Sequence, residues 1–412
     1  MSDRRRSPLV RAIFDSLPSS LRFSYMRNQL NIPKTLDSRF RFKVANTQDE
    51  LSSAYRILHE SYLEKGYTAP NESGMRIVKY FALPTTTTLI ALFDNTVVGT
   101  ISIIRRSTFG IPMESSFNIS DVLDNNKVIA EISSLAIDCR FREKRGALFL
   151  PLLKYFWAYV KSYMRLDAIV ITVNPSMTDF YEGFLGFRRL KNAKVGNYSY
   201  ANGNPGIGLW FDIHSADELF IKLYNHKTDE KNLYKYFYDY TSLNFEFPNR
   251  DFYKSSDPVM TPKMLQHFFI DRSTVFKELS TLEIMGLVSC YPLAYLSNFF
   301  PDIQGKIDRS NVRHQVNIQC HLNNKASVSA IVLDVSNSGV KLLSSESLDG
   351  MIHLTIPITN DTYAKVAGVV RWEKDSIYGI QLLSTDSAWI RFCRYLQNDF
   401  EALDSPEAKK AA

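Results

Sequence analysis

The spacing of apolar and polar positions divides the chain into three stretches of different character. RFKVA (41–45) alternates as a strand does, and DELSSAYRILHESYLEKG (49–66) returns its apolar residues at helical spacing. TTTTLIALFDNTVVGTISIIRR (85–106) reads as two strands joined at Asp94-Asn95. KVIAEISSLAID (127–138) predicts a buried strand, CRFREKRG (139–146) a basic turn, and ALFLPLLKYFWAYVKSYM (147–164) a helix. LDAIVITVN (166–174) is again strand-like, PSMTDFYEGFLGFRRL (175–190) is a short helix returning to a strand, and IGLWFDI (207–213) closes the set. Strands interleaved with helices in this order predict a mixed α/β layer structure.

The pattern then changes. Over 216–305, Leu219, Leu223, Leu233 and Phe237, and later Leu265, Phe268, Phe276, Leu279, Leu282 and Met285, recur at helical spacing around the loop FEFPNRDFYKSSDPVMTP. This stretch is expected to be a helical connector. From 306 to 400 the signal is six short strands: VNIQCHL, SAIVLDV, GVKLLS, MIHLTIPI, AKVAGVVRW and YGIQLL. Their length and turn spacing predict a small antiparallel barrel, closed by the amphipathic helix SAWIRFCRYLQNDF. Residues 401–412 are expected to be a disordered tail.

Charge changes the picture at one end only. Residues 1–43 carry ten Lys and Arg against three Asp, while the rest of the chain is balanced at 39 basic and 40 acidic residues. The basic excess therefore belongs to an arm, residues 1–40, in which arginines alternate with Leu9, Val10, Ile13, Phe14, Leu17, Leu21 and Phe23. Such an arm suits a flap on its own domain, an acidic protein partner, or peripheral contact with an anionic membrane surface. Asp15 and Pro18 break its apolar run, so a secretory signal is not expected, and no run of about 18 apolar residues predicts a span. Cys139, Cys290, Cys320 and Cys393 are far apart, without CxxC or a nearby His pair. Neither a disulfide framework nor a metal site is expected, and a reduced, cytoplasmic setting fits, with the arm as a candidate contact to the inner membrane.

The chemistry-bearing segment of the first stretch is EISSLAIDCRFREKRGALFLPLL. A strand that ends in a basic turn and feeds a helix presents unpaired backbone N–H groups next to Arg140, Arg142, Lys144 and Arg145, which suits a phosphate group. With Asn174 ending the next strand and Tyr181 inside FYEGFLGF, the order resembles the acyl-CoA N-acyltransferase (GNAT) superfamily. The superfamily turn, Gln/Arg-x-x-Gly-x-Gly/Ala, corresponds here to Arg142-Glu-Lys-Arg145-Gly146-Ala147, with Arg145 where the first glycine is usual. YRILHESYLEKGY (55–67), LPTTTTLIALFDNTVVGTISII (83–104), GIPME (110–114), AEISSLAID (130–138) and NPSMTDFYEGFLGF (174–187) narrow the likeness. They resemble the N-acyl amino acid synthases, relatives of the acyl-homoserine-lactone autoinducer synthases. The resemblance spans about 41–215. It implies acyl carrier protein, through its phosphopantetheine thioester, or acyl-CoA as donor and a small amine as acceptor.

Acyl transfer needs a base for the attacking amine, polarisation of the thioester carbonyl, and an acid for the departing thiolate. Glu131, a carboxylate at the start of an otherwise apolar strand, is the candidate base, with an ion pair to an arginine as the alternative role. The resemblance implies Tyr181 as the acid, with aromatic packing on its short helix as the alternative. Backbone groups over Ser134–Ile137, with Leu135, Ile137, Arg140, Arg142, Arg145, Gly146, Ala147 and Asn174, are implied to hold the donor arm. His59 and Glu60 lie near the expected acceptor side, where structural roles suit them. Tyr62, Tyr67, Phe81, Phe109 and Phe117 offer apolar surroundings for an acyl chain, although aromatic residues are as readily core.

In the last stretch, Arg309 and Arg313 stand four apart before a strand, and DVSNSGV follows 21 residues later with Asp334, Ser336 and Gly339. Together, on a small barrel, these resemble the PilZ domain, which binds the bacterial messenger cyclic di-GMP; GVVRWEKDSIYGIQLL (368–383), with Gly368 and Gly379, agrees. Arginine can form bidentate bonds to phosphate and to the O6/N7 edge of guanine. Asp334 would accept from guanine N1–H and N2–H, Ser336 would donate, and Gly339 would permit a tight turn. Asn311 and His314 are neighbours with less defined roles.

The fold expected is therefore α+β: a GNAT-like mixed sheet over 41–215, the connector, and a PilZ-like barrel. The function expected is N-acylation of an amino acid or similar amine, modulated by cyclic di-GMP, with no DNA or RNA partner. Two alternatives stay open here. One is a non-enzymatic effector whose transferase fold binds a partner; the other is an autoinducer synthase, for which no S-adenosylmethionine site is located.

Overall fold

The computed structural model describes residues 16–32, 35–107, 109–123, 128–142, 148–238, 244–301, 312–322 and 329–403. Within the first half, seven strands form one sheet in the order β1-β2-β3-β4-β5-β7-β6. These are β1 (Phe40–Val44), β2 (Thr86–Phe93), β3 (Thr96–Arg105), β4 (Ile129–Ile137), β5 (Ala168–Val173), β6 (Arg188–Tyr198) and β7 (Asn204–Asp212). The β2–β3 hairpin turns at Asp94 and Asn95, both left-handed with φ of 46° and 63°, as a two-residue loop matched to strand twist requires.

Four helices of this half matter to the site. Helix α1 (Ser19–Asn28) buries no residue, but it is tied to the body: Arg22 pairs with Asp179 at 2.9 Å, and Arg27 Nη1 donates to the Gly183 carbonyl at 2.8 Å. That part of the arm is a flap against its own domain; residues 1–15, which carry Arg4, Arg5, Arg6 and Arg11, lie outside the described residues. Helix α2 (Gln48–Glu64) starts in a Thr47/Glu50 capping box and buries Leu51, Ala54, Tyr55, Ile57 and Leu58, the i, i+3, i+4 stripe that its sequence dictates. Helix α3 (Phe149–Tyr159) brings Leu152 against Gly99 of β3, where a Cβ would sit 3.5 Å from the leucine methyl. Helix α4 (Thr178–Leu185) ends at Gly186, whose φ of 74° makes it a left-handed C-cap.

The 216–300 stretch holds short helices separated by extended chain, among them α5 (Thr281–Val288). It is more than a spacer. Phe220, Phe237, Phe268, Phe269, Phe276, Tyr291 and Phe300 are buried in the same continuous core as Phe42, Tyr55 and Leu89 of the sheet half. Phe245 adds a parallel bridge to Phe42 at the edge of β1.

The C-terminal strands β8 (His314–Leu322), β9 (Ser329–Ser336), β10 (Gly339–Leu343), β11 (Met351–Pro357), β12 (Tyr363–Lys374) and β13 (Ile377–Thr385) close a barrel in the order β10-β13-β12-β11-β8-β9. All six neighbouring pairs are antiparallel. Its core is separate from the first, and helix α6 (Ser387–Leu403) plugs it with Trp389, Phe392, Cys393 and Leu396. α6 runs three residues into the stretch expected to be a disordered tail, because its apolar stripe continues to Phe400, which is buried in the first core; residues 404–412 lie outside the described residues.

Candidate functional site

β4 and β5 run parallel as neighbours in the large sheet, and their pairing is brief. Ile129, Ala130 and Glu131 face Ala168, Ile169 and Val170; beyond that β5 pairs only with β7. β4 is turned away at Ser134, a serine held in the left-handed region at φ 60°, and its register with β3 shifts between Thr100 and Ser102. Strain of this kind in a non-glycine residue persists only where surrounding structure enforces it. The result is a cleft in which the backbone of Ile132–Ile137 on its β5 side has no strand partner. Leu135 and Ile137, expected to line a donor arm, lie half-buried along it.

Glu131 stands at the vertex of that cleft. Only 2% of it is exposed. One carboxyl oxygen accepts from the Met113 N–H at 2.6 Å, and the other accepts from the Tyr198 hydroxyl at 3.4 Å. No Arg or Lys pairs with it among the described residues. Burial wins over those two hydrogen bonds and pushes its pKa up to about 8, so the carboxyl is a base matched to neutral-to-alkaline conditions.

Tyr181 sits half-buried on α4, packed edge-on against Phe180 and Phe187 at 5.3 and 5.8 Å. Burial raises its phenol to about 12, which keeps it protonated as an acid for a leaving thiolate must be. Asn174 ends β5 and turns its side chain inward on its own loop. Its Oδ1 accepts from the Ser176 N–H at 3.0 Å and from the Ser176 hydroxyl at 2.8 Å.

The basic turn is less available than its composition suggests. Arg140 forms a fork with Asp138, closest at 2.7 Å, and Arg142 donates to the Ile137 carbonyl at 2.7 Å and pairs with Glu64. The arginines brace the end of β4; a phosphate would have to compete with, or add to, these partners. Arg145, Gly146 and Ala147 lie outside the described residues. Of the acceptor-side candidates, His59 is buried with Nδ1 3.4 Å from the Asn71 side chain, and Glu60 is exposed. Phe81 stacks on Tyr55 in the core, whereas Phe117 packs against Tyr198 beside Glu131.

Sequence reasoning named Tyr62 only as apolar surroundings and missed Tyr80, Tyr198 and Tyr200. The four come from three distant segments, and burial above all, with a smaller contribution from the neighbouring Glu131, holds their phenols high. A small cavity elsewhere, between α2, β2 and the 257–291 segment, is bounded by Leu51, Tyr55, Phe81, Asp257, Met260 and Tyr291 and lies away from this chemistry.

On the barrel, Arg313 precedes β8 and its Nη1 donates to Asp334 Oδ1 at 2.5 Å; Lys341 approaches the other oxygen at 3.8 Å. Asp334 and Ser336 are buried, and the Ser336 hydroxyl donates to the Gly339 carbonyl at 3.4 Å. The residues expected as one site are thus together, apart from Arg309, which with Asn311 lies outside the described residues. Gly339 pairs with Ser336 across a two-residue turn; a side chain there would press on the Ile380 carbonyl, 3.2 Å from its Cβ, and on Arg313 Nη2 at 3.5 Å. His314 points away from the site into the core beside Phe400, where burial drives its pKa down to about 4.

Residues 53–212 match the family model described as N-acyl amino acid synthase FeeM, and residues 307–393 match the PilZ domain model. A search of curated proteins found no match. Among solved structures, FeeM, an N-acyl amino acid synthase from uncultured soil microbes, is similar over 44% of this chain and 93% of its own, at 23% identity and a TM-score of 0.39. The acyl-homoserine-lactone synthase LasI is similar over 46% of this chain and 96% of its own, at 14% identity and a TM-score of 0.34. The ribosomal-protein-S5-alanine acetyltransferase from Vibrio fischeri covers 46% of this chain and 99% of its own, at 11% and 0.31. The chain therefore joins an N-acyl amino acid synthase-type N-acyltransferase domain to a PilZ domain.

Proposed function

We propose that the protein transfers a fatty acyl group from a phosphopantetheine thioester, on acyl carrier protein or CoA, to the amine of an amino acid, and that cyclic di-GMP on the barrel modulates the transfer. The observation that carries the first part is Glu131: a buried carboxyl with no counter-ion among the described residues, at the point where two parallel strands part. The amine nitrogen attacks the thioester carbon, its proton passes to the Glu131 carboxylate directly or through water, and the C–S bond breaks. The thiolate takes a proton from Tyr181, which regains one from solvent. Backbone groups of the Ser134–Ile137 stretch on the side away from β3 are suited to hold the donor arm and polarise the carbonyl. No helix among the described residues is long and apolar enough to cross a membrane.

Support for the second part is the way the two cores are joined. Arg105, at the end of β3 and 2% exposed, donates to the Ser255 hydroxyl and to the Val316 carbonyl of β8. β3 pairs with β4 through Ile104 and Glu131, and β8 begins beside Arg313. A guanidinium wholly out of water holds fixed partners or pays several kcal/mol for losing them, so a shift of the β8 entrance is felt at the strand next to Glu131. The Arg313 N–H also donates to the Ser289 carbonyl just past α5, at 3.0 Å.

Incubating the full chain with acyl carrier protein and CoA thioesters and a mixture of amino acids, with and without cyclic di-GMP, tests both parts by mass spectrometry. Acyl amides whose yield changes with the nucleotide are expected. No acyl amide from any donor overturns the first part; a yield indifferent to bound nucleotide overturns the second.

A further inference from the structure

The proposed reaction leaves the acceptor's recognition open, and one cation near Glu131 has no role in it. Arg76 lies in the loop after α2, its backbone N–H bound to the Tyr55 carbonyl at 3.0 Å. Its guanidinium is clasped between the rings of Tyr62 and Tyr200, each 4.8 Å from its central carbon, and Nη2 donates to the Tyr200 carbonyl at 2.5 Å. Its Nε is buried with no hydrogen-bond partner, and no acid pairs with it among the described residues. The Tyr200 hydroxyl, on one of those rings, is buried beside the Ser133 and Ser134 hydroxyls.

A folded protein rarely leaves buried donors unused, and a guanidinium with a ring on either hand and one Nη2 bond to a carbonyl still has the Nε–H edge for a partner. That edge, Nε–H with the second Nη2–H, matches the two oxygens of a carboxylate. The position is also right for the reaction. Tyr62 and Tyr200 neighbour both Arg76 and Glu131, which act on their phenols in opposite senses. Tyr198 bridges the remaining step: it donates to Glu131, and its ring lies 6.0 Å from that of Tyr200. An α-amino acid carries its amine two bonds from its carboxylate, so a base for the one and a fork for the other must flank one small space.

We propose that Arg76 is the anchor for the carboxylate of the acceptor, which makes the acceptor class α-amino acids rather than simple amines. This rests on the acyl-transfer reading above. The clasp of tyrosines serves to fix the fork and to exclude water, so that the ion pair with substrate forms in a partly dry setting.

The test has two arms on the full-length protein. In the first, competing amino acids and their primary carboxamides are offered with an acyl carrier protein thioester, and acyl amides are counted for wild type and for Arg76→Met, whose stem still fills the space between the rings. Wild type should prefer the carboxylates by about 10–100-fold, and Arg76→Met should bring that ratio close to one. The second arm measures calorimetric binding of N-dodecanoyl glycine, leucine and tyrosine against their carboxamides. The carboxylates should lose about 10–100-fold in affinity with Arg76→Met and less with Arg76→Lys, which keeps the charge but not the fork. An absence of any acyl amide would defeat the acyl-transfer reading, while the binding arm still decides on Arg76. Acyl amides formed without carboxylate preference, or binding unchanged in Arg76→Met, would overturn the anchor.

Discussion

Arg313 and Asp334 hold each other in an ion pair at 2.5 Å, Nη1 to Oδ1, although both are the residues expected to grip the two faces of a guanine nucleotide. Asp334 is 4% exposed at its side chain and Arg313 28%, so the pair is anchored on the barrel side and open on the other. The two side chains satisfy one another, so on the proposed reading a bound nucleotide has to part or share them.

Replacing Arg313 by Ala should therefore remove bidentate contacts worth about 1–3 kcal/mol, weakening cyclic di-GMP binding by roughly 5–150-fold in a calorimetric titration. An affinity within a factor of two of wild type would mean that the ion pair is structural.

As the proposed base, Glu131 should set the pH dependence of transfer. Its carboxyl is protonated below about 8 and becomes a base above it, so kcat/KM should rise through that region. Glu131→Gln should be slow and should lack that inflection, leaving only the acceptor amine's own titration. The same shift bears on stability: the raised folded pKa favours the fold fully below the unfolded value of about 4.5, and that benefit is lost as pH climbs through about 8. The melting temperature of Glu131→Gln relative to wild type should accordingly increase from pH 5 to pH 9.

Tyr181→Phe keeps the rings of Phe180 and Phe187 packed and removes only the hydroxyl. As the proposed acid, its loss should lower kcat at least about tenfold with a smaller change in KM for the donor, measured by thiol release.

Arg105→Met removes the cation that joins β3 to Ser255 and Val316. Fluorescence titration should find cyclic di-GMP affinity changed less than in Arg313→Ala, because Arg105 feels the Asp334 charge without hydrogen-bonding to it. The difference in acylation rate between ligated and free protein should shrink. An undiminished difference would place the coupling elsewhere.

Two barrel glycines should respond differently to alanine. At Gly368 the new Cβ would stand 2.3 Å from the Gln381 carbonyl, a backbone atom that cannot retreat without breaking the β12–β13 ladder. At Gly379 it would meet only the Trp372 ring, a side chain 45% exposed that can swing out. Thermal melts should show Gly368→Ala costing more than about 2 kcal/mol and Gly379→Ala less.

Much of this was legible along the chain because it is set locally. Asp94-Asn95 predicts its own turn, the apolar period of 49–66 its own helix, and the six alternating runs after 312 their own strands. Glu131 was findable because a carboxylate in an apolar strand is rare. What was not legible is what depends on distant segments meeting. Arg76 looked like any loop arginine until Tyr62 and Tyr200 closed on it from 14 residues before and 124 after. Arg105 looked like a strand end, yet its partners come from 255 and 316. Arg140 and Arg142 looked available because the pairing of Arg142 with Glu64 crosses 78 residues.

Helix α6 gives its first turns to one core and its Phe400 to the other, where that ring lies 5.7 Å from Tyr291 and 6.1 Å from Tyr295. A barrel transplanted from another protein would arrive with its own closing helix and leave a phenylalanine-sized hole in the transferase half. Natural recombination at this junction is thus constrained to exchange the barrel, its last helix and the tyrosines that receive it as one inherited block.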